Sequence, residues 1–315
     1  MQNAAKTIVN QCMNLQPDES VLIITDSGKR LIADALFEAA RQITPKVSFT
    51  EIPVGRHHGD EPPENCAEDM LNYDVILMAT TMSLSHTNAR KAATEAGARI
   101  ASMPGITEDT MKRTLLADYR QITEIAEKIN KVLSGAKKVR ITTEKGTDIR
   151  MEMNERFKFT DQGLYHNKGD WGNLPAGEAG MAPVEGTANG VFVVDASFGS
   201  IGKLEQPVRI TVKDGFAVGI EGREEAEKLK HALEGHNDKR VFNIAELGIG
   251  TNSKAVITGN TLEDEKVLGT AHIALGNNIS YGGSCNAPCH LDGVFTEPTI
   301  YVDDRKIMEK GKLLI

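Results

Sequence analysis

The chain is short of the features that would place it at once in several large classes. No window approaches the roughly 18 apolar residues of a membrane-crossing helix, and the start, Met1-Gln-Asn-Ala-Ala-Lys6, has no apolar leader core. Only four cysteines, Cys12, Cys66, Cys285 and Cys289, occur in 315 residues, too few for a disulfide framework and suited to a reducing compartment. A cytoplasmic protein with no membrane association is expected. Basic runs interleaved with aromatics are missing, and 44 Asp and Glu against 36 Lys and Arg leave a net charge of -8, so no nucleic-acid surface is expected. The three-glycine phosphate turn of dinucleotide-binding folds is missing too, since the first apolar strand is followed by Asp26-Ser-Gly-Lys29.

What remains is an ordinary globular composition, 25% charged and 40% hydrophobic, in a chain long enough for two domains. Val21-Leu-Ile-Ile-Thr-Asp26, Asp74-Val-Ile-Leu-Met-Ala-Thr80 and Arg99-Ile-Ala-Ser-Met103 are short apolar runs of the kind that form strands covered on both faces. Helical patterns lie between and around them, near residues 2–15, 27–41, 88–96, 107–114 and 117–134. Strands alternating with helices imply right-handed crossovers and a mostly parallel sheet, so residues 1–134 are expected to form a doubly wound α/β domain. After Ser134-Gly135 the period changes from helix to hairpin. Val139–Thr143 with Ile149–Met153, Arg209–Ile220 around Asp214-Gly215, and Ile300–Ile307 each read as two strands and a turn. Residues 135–315 are therefore expected to be a mainly antiparallel β domain with one helix near 223–234.

The chemistry concentrates in that second half. Gly269-Thr-Ala-His-Ile-Ala-Leu-Gly276 reads as a half-buried strand carrying His272, and Cys289-His-Leu-Asp-Gly293 places His290 and Asp292 two apart, on one face of an extended segment. Two imidazoles and a carboxylate suit zinc, iron, manganese or cobalt. Glu178 in Asn173-Leu-Pro-Ala-Gly-Glu178 and Glu246 in Ile244-Ala-Glu-Leu-Gly-Ile-Gly250 sit among small and apolar residues, where a buried carboxylate is costly unless a cation or donors meet it. Cys285-x-x-x-Cys289 reads either as thiolate ligation or as small-residue packing. In the first half, His86 follows a strand's carboxyl end, where open sheets face their ligands, and is a candidate active-site residue. Arg56-His57-His58 reads as a solvated loop. Trp171 reads as pocket lining or core, and Gly276–Ser284 as a lid or a set of turns.

Four ordered motifs resemble the M29 metallo-aminopeptidases, the aminopeptidase T and S group: Asn173–Pro183 around Glu178, Ala245–Asn252 around Glu246, Ala271–Gly276 with His272, and His290-Leu-Asp292. The resemblance covers most of the chain. It implies a homodimer and a pair of divalent ions, zinc, cobalt or manganese, held by Glu178, Glu246, His272, His290 and Asp292. The family's metal-site tyrosine falls on Ile279, with Tyr281 two residues on, and a further family glutamate falls on Val267, with Glu265 nearby. Tyr281 and Glu265 are the expected substitutes through a register shift. A hydrolase releasing N-terminal residues from small peptides is the first expectation, with a metal-activated water as nucleophile and Glu178 or Glu265 as its base. The second is a branch of the same fold, the pyridine-ring-opening dioxygenases acting on a small molecule, in which one Fe(II) would be held by His272, His290 and Asp292.

Overall fold

A computed structural model describes residues 1–153 and 159–315. The chain divides into two compact units, one of residues 1–123 and 161–176, the other of residues 124–160 and 177–315.

In the first unit, Val21–Thr25 lies inside a parallel sheet whose order is Val47–Glu51, Val21–Thr25, Val75–Ala79, Arg99–Ser102, Trp171–Asn173. Alternation along the central strands sorts their side chains onto two faces. Val21, Ile23, Val75 and Leu77 pack with Ile32 and Leu36 of helix Arg30–Arg41. Leu22, Ile24, Ile76 and Met78 pack with Cys66 and Met70 of helix Glu64–Met70 and Ala89 and Ala93 of helix Asn88–Glu95. Both faces are thus covered, which is why these strands read as unbroken apolar runs. Asp26, at the end of its strand, is buried and accepts hydrogen bonds from the Gly28 and Thr81 amides and the Thr81 hydroxyl. Its carboxylate ties two neighbouring loops together.

The second unit has two antiparallel sheets. The larger runs Phe216–Glu221, Val208–Lys213, Asn189–Val194, Asp148–Glu152, Lys138–Thr142, Thr299–Val302, Arg305–Glu309, Lys312–Leu313. The Asp214-Gly215 turn has positive φ at both residues, 49° and 79°, the geometry that the twist of a two-residue hairpin favours. In the other sheet, Ser197–Phe198, His290–Thr296, Thr270–Gly276, Ile244–Gly250 and Glu178–Met181 are successive neighbours. The strand carrying His272 is buried along its whole length rather than half-buried as expected, because it is flanked by strands on both sides and packed on both faces. The fold is therefore α/β with a parallel sheet, joined to antiparallel sheets, as the sequence pattern implies. Among the described residues no helix is long and apolar enough to cross a membrane.

Candidate metal centre

Strand register assembles the site. Glu246 pairs across the sheet with Ala274, and Ala274 with Asp292; Gly248 pairs with His272; His290 pairs with Gly276; Glu178 pairs with Gly250. Because side chains alternate along a strand, these pairings put Glu178, Glu246, His272, His290 and Asp292 on one face. Apart from Val294 opposite His272, their cross-strand partners on that face are glycine or alanine, which leaves room for long polar side chains to lean together. The clearest case is Gly248, where an added Cβ would lie 2.0 Å from His272 Nε2 and 2.2 Å from its Cε1. The imidazole occupies the space that any side chain at 248 would need.

Among the described residues, ligand atoms of Glu246, His290 and Asp292 all lie within 4.8 Å of one another. His290 Nε2 is 3.1 Å from Glu246 Oε2 and 3.2 Å from Asp292 Oδ1. Its Nδ1 lies 2.6 Å from the Asn277 carbonyl, so Nδ1 donates its proton there and Nε2 is aimed at the carboxylates. His272 Nε2 is 3.4 Å from Glu178 Oε2 and 3.7 Å from Glu246 Oε1. The compact three-donor set thus contains Glu246, where the sequence reading of a single-ion site had used His272, and His272 lies beside it. Glu178, Glu246 and His272 are almost wholly buried.

Two nearby groups complete the cluster. The Lys266 ammonium, only 1% exposed, lies 2.6 Å from Glu178 Oε1 and 2.7 Å from Glu265 Oε1. The sequence reading missed Lys266, because Glu263-Asp-Glu-Lys266 looks like a solvated turn. Tyr281 stacks on His290, with ring centroids 4.9 Å apart and planes 12° from parallel. Gly282, with φ 86°, ends that turn in the left-handed region that glycine enters freely. Burial holds the Tyr281 phenol well above 10, so it stays protonated at neutral pH.

The polar atoms show what the cluster lacks. Glu178 Oε2, Glu246 Oε1, His272 Nδ1, His290 Nε2 and Asp292 Oδ1 are buried without an aligned hydrogen-bond partner, although several lie near an opposite charge. Orphaned atoms of this kind cost roughly 1–3 kcal/mol each when nothing meets them. Protons meet part of the deficit in the metal-free protein. Burial alone would lower the His272 pKa, but the nearby carboxylates of Glu246, Glu178 and Asp292 carry it up to about 9. His290 is pushed well above 6.5 against the same burial effect, chiefly by Asp292. Burial drives Glu265 up to about 7 despite Lys266. Two imidazoles with clustered carboxylates fit a first-row divalent ion, which would replace those protons.

Other candidates from the sequence are not members of the three-donor set. His86 belongs to the first unit, is exposed, and meets Trp171 edge-on at 6.0 Å. Trp171 is 37% exposed, with the Arg90 guanidinium 3.7 Å above its ring. Cys285 donates to the Arg240 carbonyl, and Cys289 packs against the apolar core; neither belongs to the three-donor set.

The family model NicX, described as 2,5-dihydroxypyridine 5,6-dioxygenase, matches residues 1–315. The chain belongs to this family. A curated relative, the 2,5-dihydroxypyridine 5,6-dioxygenase of Pseudomonas putida KT2440, is 25% identical over 319 residues, covering 89% of this chain and 86% of its own. The solved 2,5-dihydroxypyridine dioxygenase from the same strain matches with a TM-score of 0.86 at 20% identity, over 99% of this chain and 96% of that one. AmpT from Thermus thermophilus matches with a TM-score of 0.71 at 16% identity, over 100% and 98%. The M29 resemblance therefore holds for the fold, while the family is that of the dioxygenases. The first expectation, a hydrolase, aminopeptidase or metalloprotease, is corrected by the family match. A physical reason lies in the site: of the two extra carboxylates that favoured hydrolysis, Glu178 shares the Lys266 ammonium with Glu265, and Glu246 belongs to the three-donor set.

Proposed function

We propose that this NicX family member is an Fe(II)-dependent ring-opening dioxygenase acting on a hydroxylated pyridine, with Glu246, His272, His290 and Asp292 holding the ion. The observation that carries the reading is the set of buried, partnerless donor atoms converging on one sheet face, in a chain matched end to end by this family. A bound ferrous ion would supply the one-electron chemistry that lets dioxygen react with an aromatic ring.

The side chains have separate tasks in this reading. Asn277 fixes the His290 tautomer so that Nε2 faces the site. The Tyr281 ring covers one face of that imidazole and limits its rotation. Gly248 admits the His272 ring. The phenol of Tyr281, held protonated by burial, can donate a hydrogen bond but is not a base at neutral pH. His86 is proposed to take part in turnover without holding the ion. A cytoplasmic location and a homodimer complete the proposal, and sizing the protein in solution tests the latter.

The decisive assay adds 2,5-dihydroxypyridine to protein reconstituted with Fe(II) under nitrogen, then admits ¹⁸O₂. Substrate loss should begin only with oxygen, consume one O₂ per ring, and place both labelled atoms in the opened product. Loss of substrate without oxygen uptake, or no loss with iron bound, rejects the reading.

A further inference from the structure

Lys266 is a strange neighbour for a metal centre. Its ammonium is 1% exposed and stands within 2.6–2.7 Å of one oxygen each from Glu178 and Glu265. Burying an unpaired lysine costs several kcal/mol, so its presence in a cluster of four carboxylates and two imidazoles calls for a purpose. The loop that presents it is built firmly. The Asn260 side chain caps the short helix Thr261–Asp264. Asp264 accepts from the Thr258 and Gly259 amides, and Glu263 from the Val256 amide. The Lys266 carbonyl accepts from the Asn252 amide, and its own amide donates to the Glu263 carbonyl.

We infer that Lys266 is a built-in cation that takes the place of a second divalent ion and so fixes the centre at one exchangeable metal. The inference rests on the metal reading of this site but not on the identity of the substrate. Geometry carries it. Glu246, His290 and Asp292 converge on one point. The carboxylates left over, Glu178 and Glu265, are the pair from which a second ion would draw its ligands. The Lys266 nitrogen already bridges them, at distances shorter than an ordinary salt bridge requires. A metal ion with carboxylate bonds of about 2.0–2.2 Å and that ammonium cannot share the position.

Charge is compatible with this. Four carboxylates against one divalent ion and one ammonium leave a net charge near -1, and a second divalent ion added beside the ammonium would reverse the sign to +1. The lysine also differs from a metal in being covalently tethered, so chelators remove the exchangeable ion while Glu178 and Glu265 remain paired. Lys266 is in this sense a specificity determinant for metal count, acting through the carboxylates it occupies.

The test is metal stoichiometry, with Zn²⁺ as an air-stable probe. Chelator-treated protein is dialysed against a tenfold excess of Zn²⁺ and zinc is counted per chain by elemental analysis, with circular dichroism to verify the fold. Wild type should retain one equivalent and Lys266→Met two. The double variant Lys266→Met with Glu178→Gln removes the ammonium together with one of its two carboxylate partners, leaving Glu265 alone to offer a second ion a charged ligand, and should return the count to one. Should Lys266→Met be unfolded without metal, Zn²⁺ should refold it with two equivalents. Two equivalents in wild type, one in folded Lys266→Met, two in the double variant, or a single variant that stays unfolded in excess Zn²⁺ would each overturn the inference. Zero equivalents in wild type is a distinct result, because it removes the metal reading itself and the inference with it.

Discussion

At the scale of single residues, the site depends on atoms that are missing as much as on those present. Gly248 has no side chain where the His272 ring lies, so Gly248→Ala must push the imidazole away from its neighbours. Metal affinity should fall roughly 10–100-fold, the usual penalty for disturbing the support of a ligand, with the fold retained; calorimetric titration with Zn²⁺ checks this, and an unchanged affinity contradicts it. His290→Ala and Asp292→Ala should each lose most bound metal by elemental analysis. His86→Ala, by contrast, should lower turnover and leave metal content intact. The donor residues are legible in the sequence because a charged group among glycines and alanines has no solvent to explain it. Lys266 is not legible, because its neighbours Glu263, Asp264 and Glu265 disguise a buried cation as a surface charge run. Glu263 and Asp264 are buried too, with carboxylates spent on backbone amides.

At the scale of elements, what can be read depends on length and period. The apolar strands of the parallel sheet and the hairpin at Asp214-Gly215 are plain in the sequence, since the strands are unbroken apolar runs and the hairpin carries its own turn chemistry. Trp171–Asn173, the fifth parallel strand, is three residues long and hence has no period to detect. Helix Glu64–Met70 hides behind Pro62 and Pro63 for a similar reason: seven residues make only two turns. Helix Asn88–Glu95 is fixed at its start by Thr87, whose hydroxyl accepts from the Arg90 amide. Thr87→Ala should destabilise the first unit by about 1 kcal/mol, seen in urea denaturation, with no change in metal content. Loss of metal in that variant would mean that the two properties are coupled.

At the scale of the whole molecule, the donor cluster should make stability depend on pH in a way that metal removes. In the metal-free protein, Glu265 is raised from 4.5 to about 7 and His272 from 6.5 to about 9. Both bind protons more tightly folded than unfolded. Their stabilising contributions are complete below the unfolded values and are lost as pH rises through about 7 and about 9. Asp292 has the opposite sign, being held below its usual range by His290 against the effect of burial, and loses its contribution only in strong acid. Chelated protein should therefore lose on the order of 5 °C in Tm between pH 6 and 9, while the metal-loaded form, with a cation in place of those protons, should change much less. Parallel curves for the two forms would contradict this account.

The pairing of Glu246 with Ala274 and of Ala274 with Asp292 also bears on how the chain reaches its native state. The donors come from three strands spread between residues 246 and 292, and sliding any one strand by a single residue would turn its donors to the opposite face. An ion that binds only the native arrangement stabilises that arrangement alone. It would act as a proofreader of sheet assembly, penalising every slipped register that apolar packing by itself tolerates.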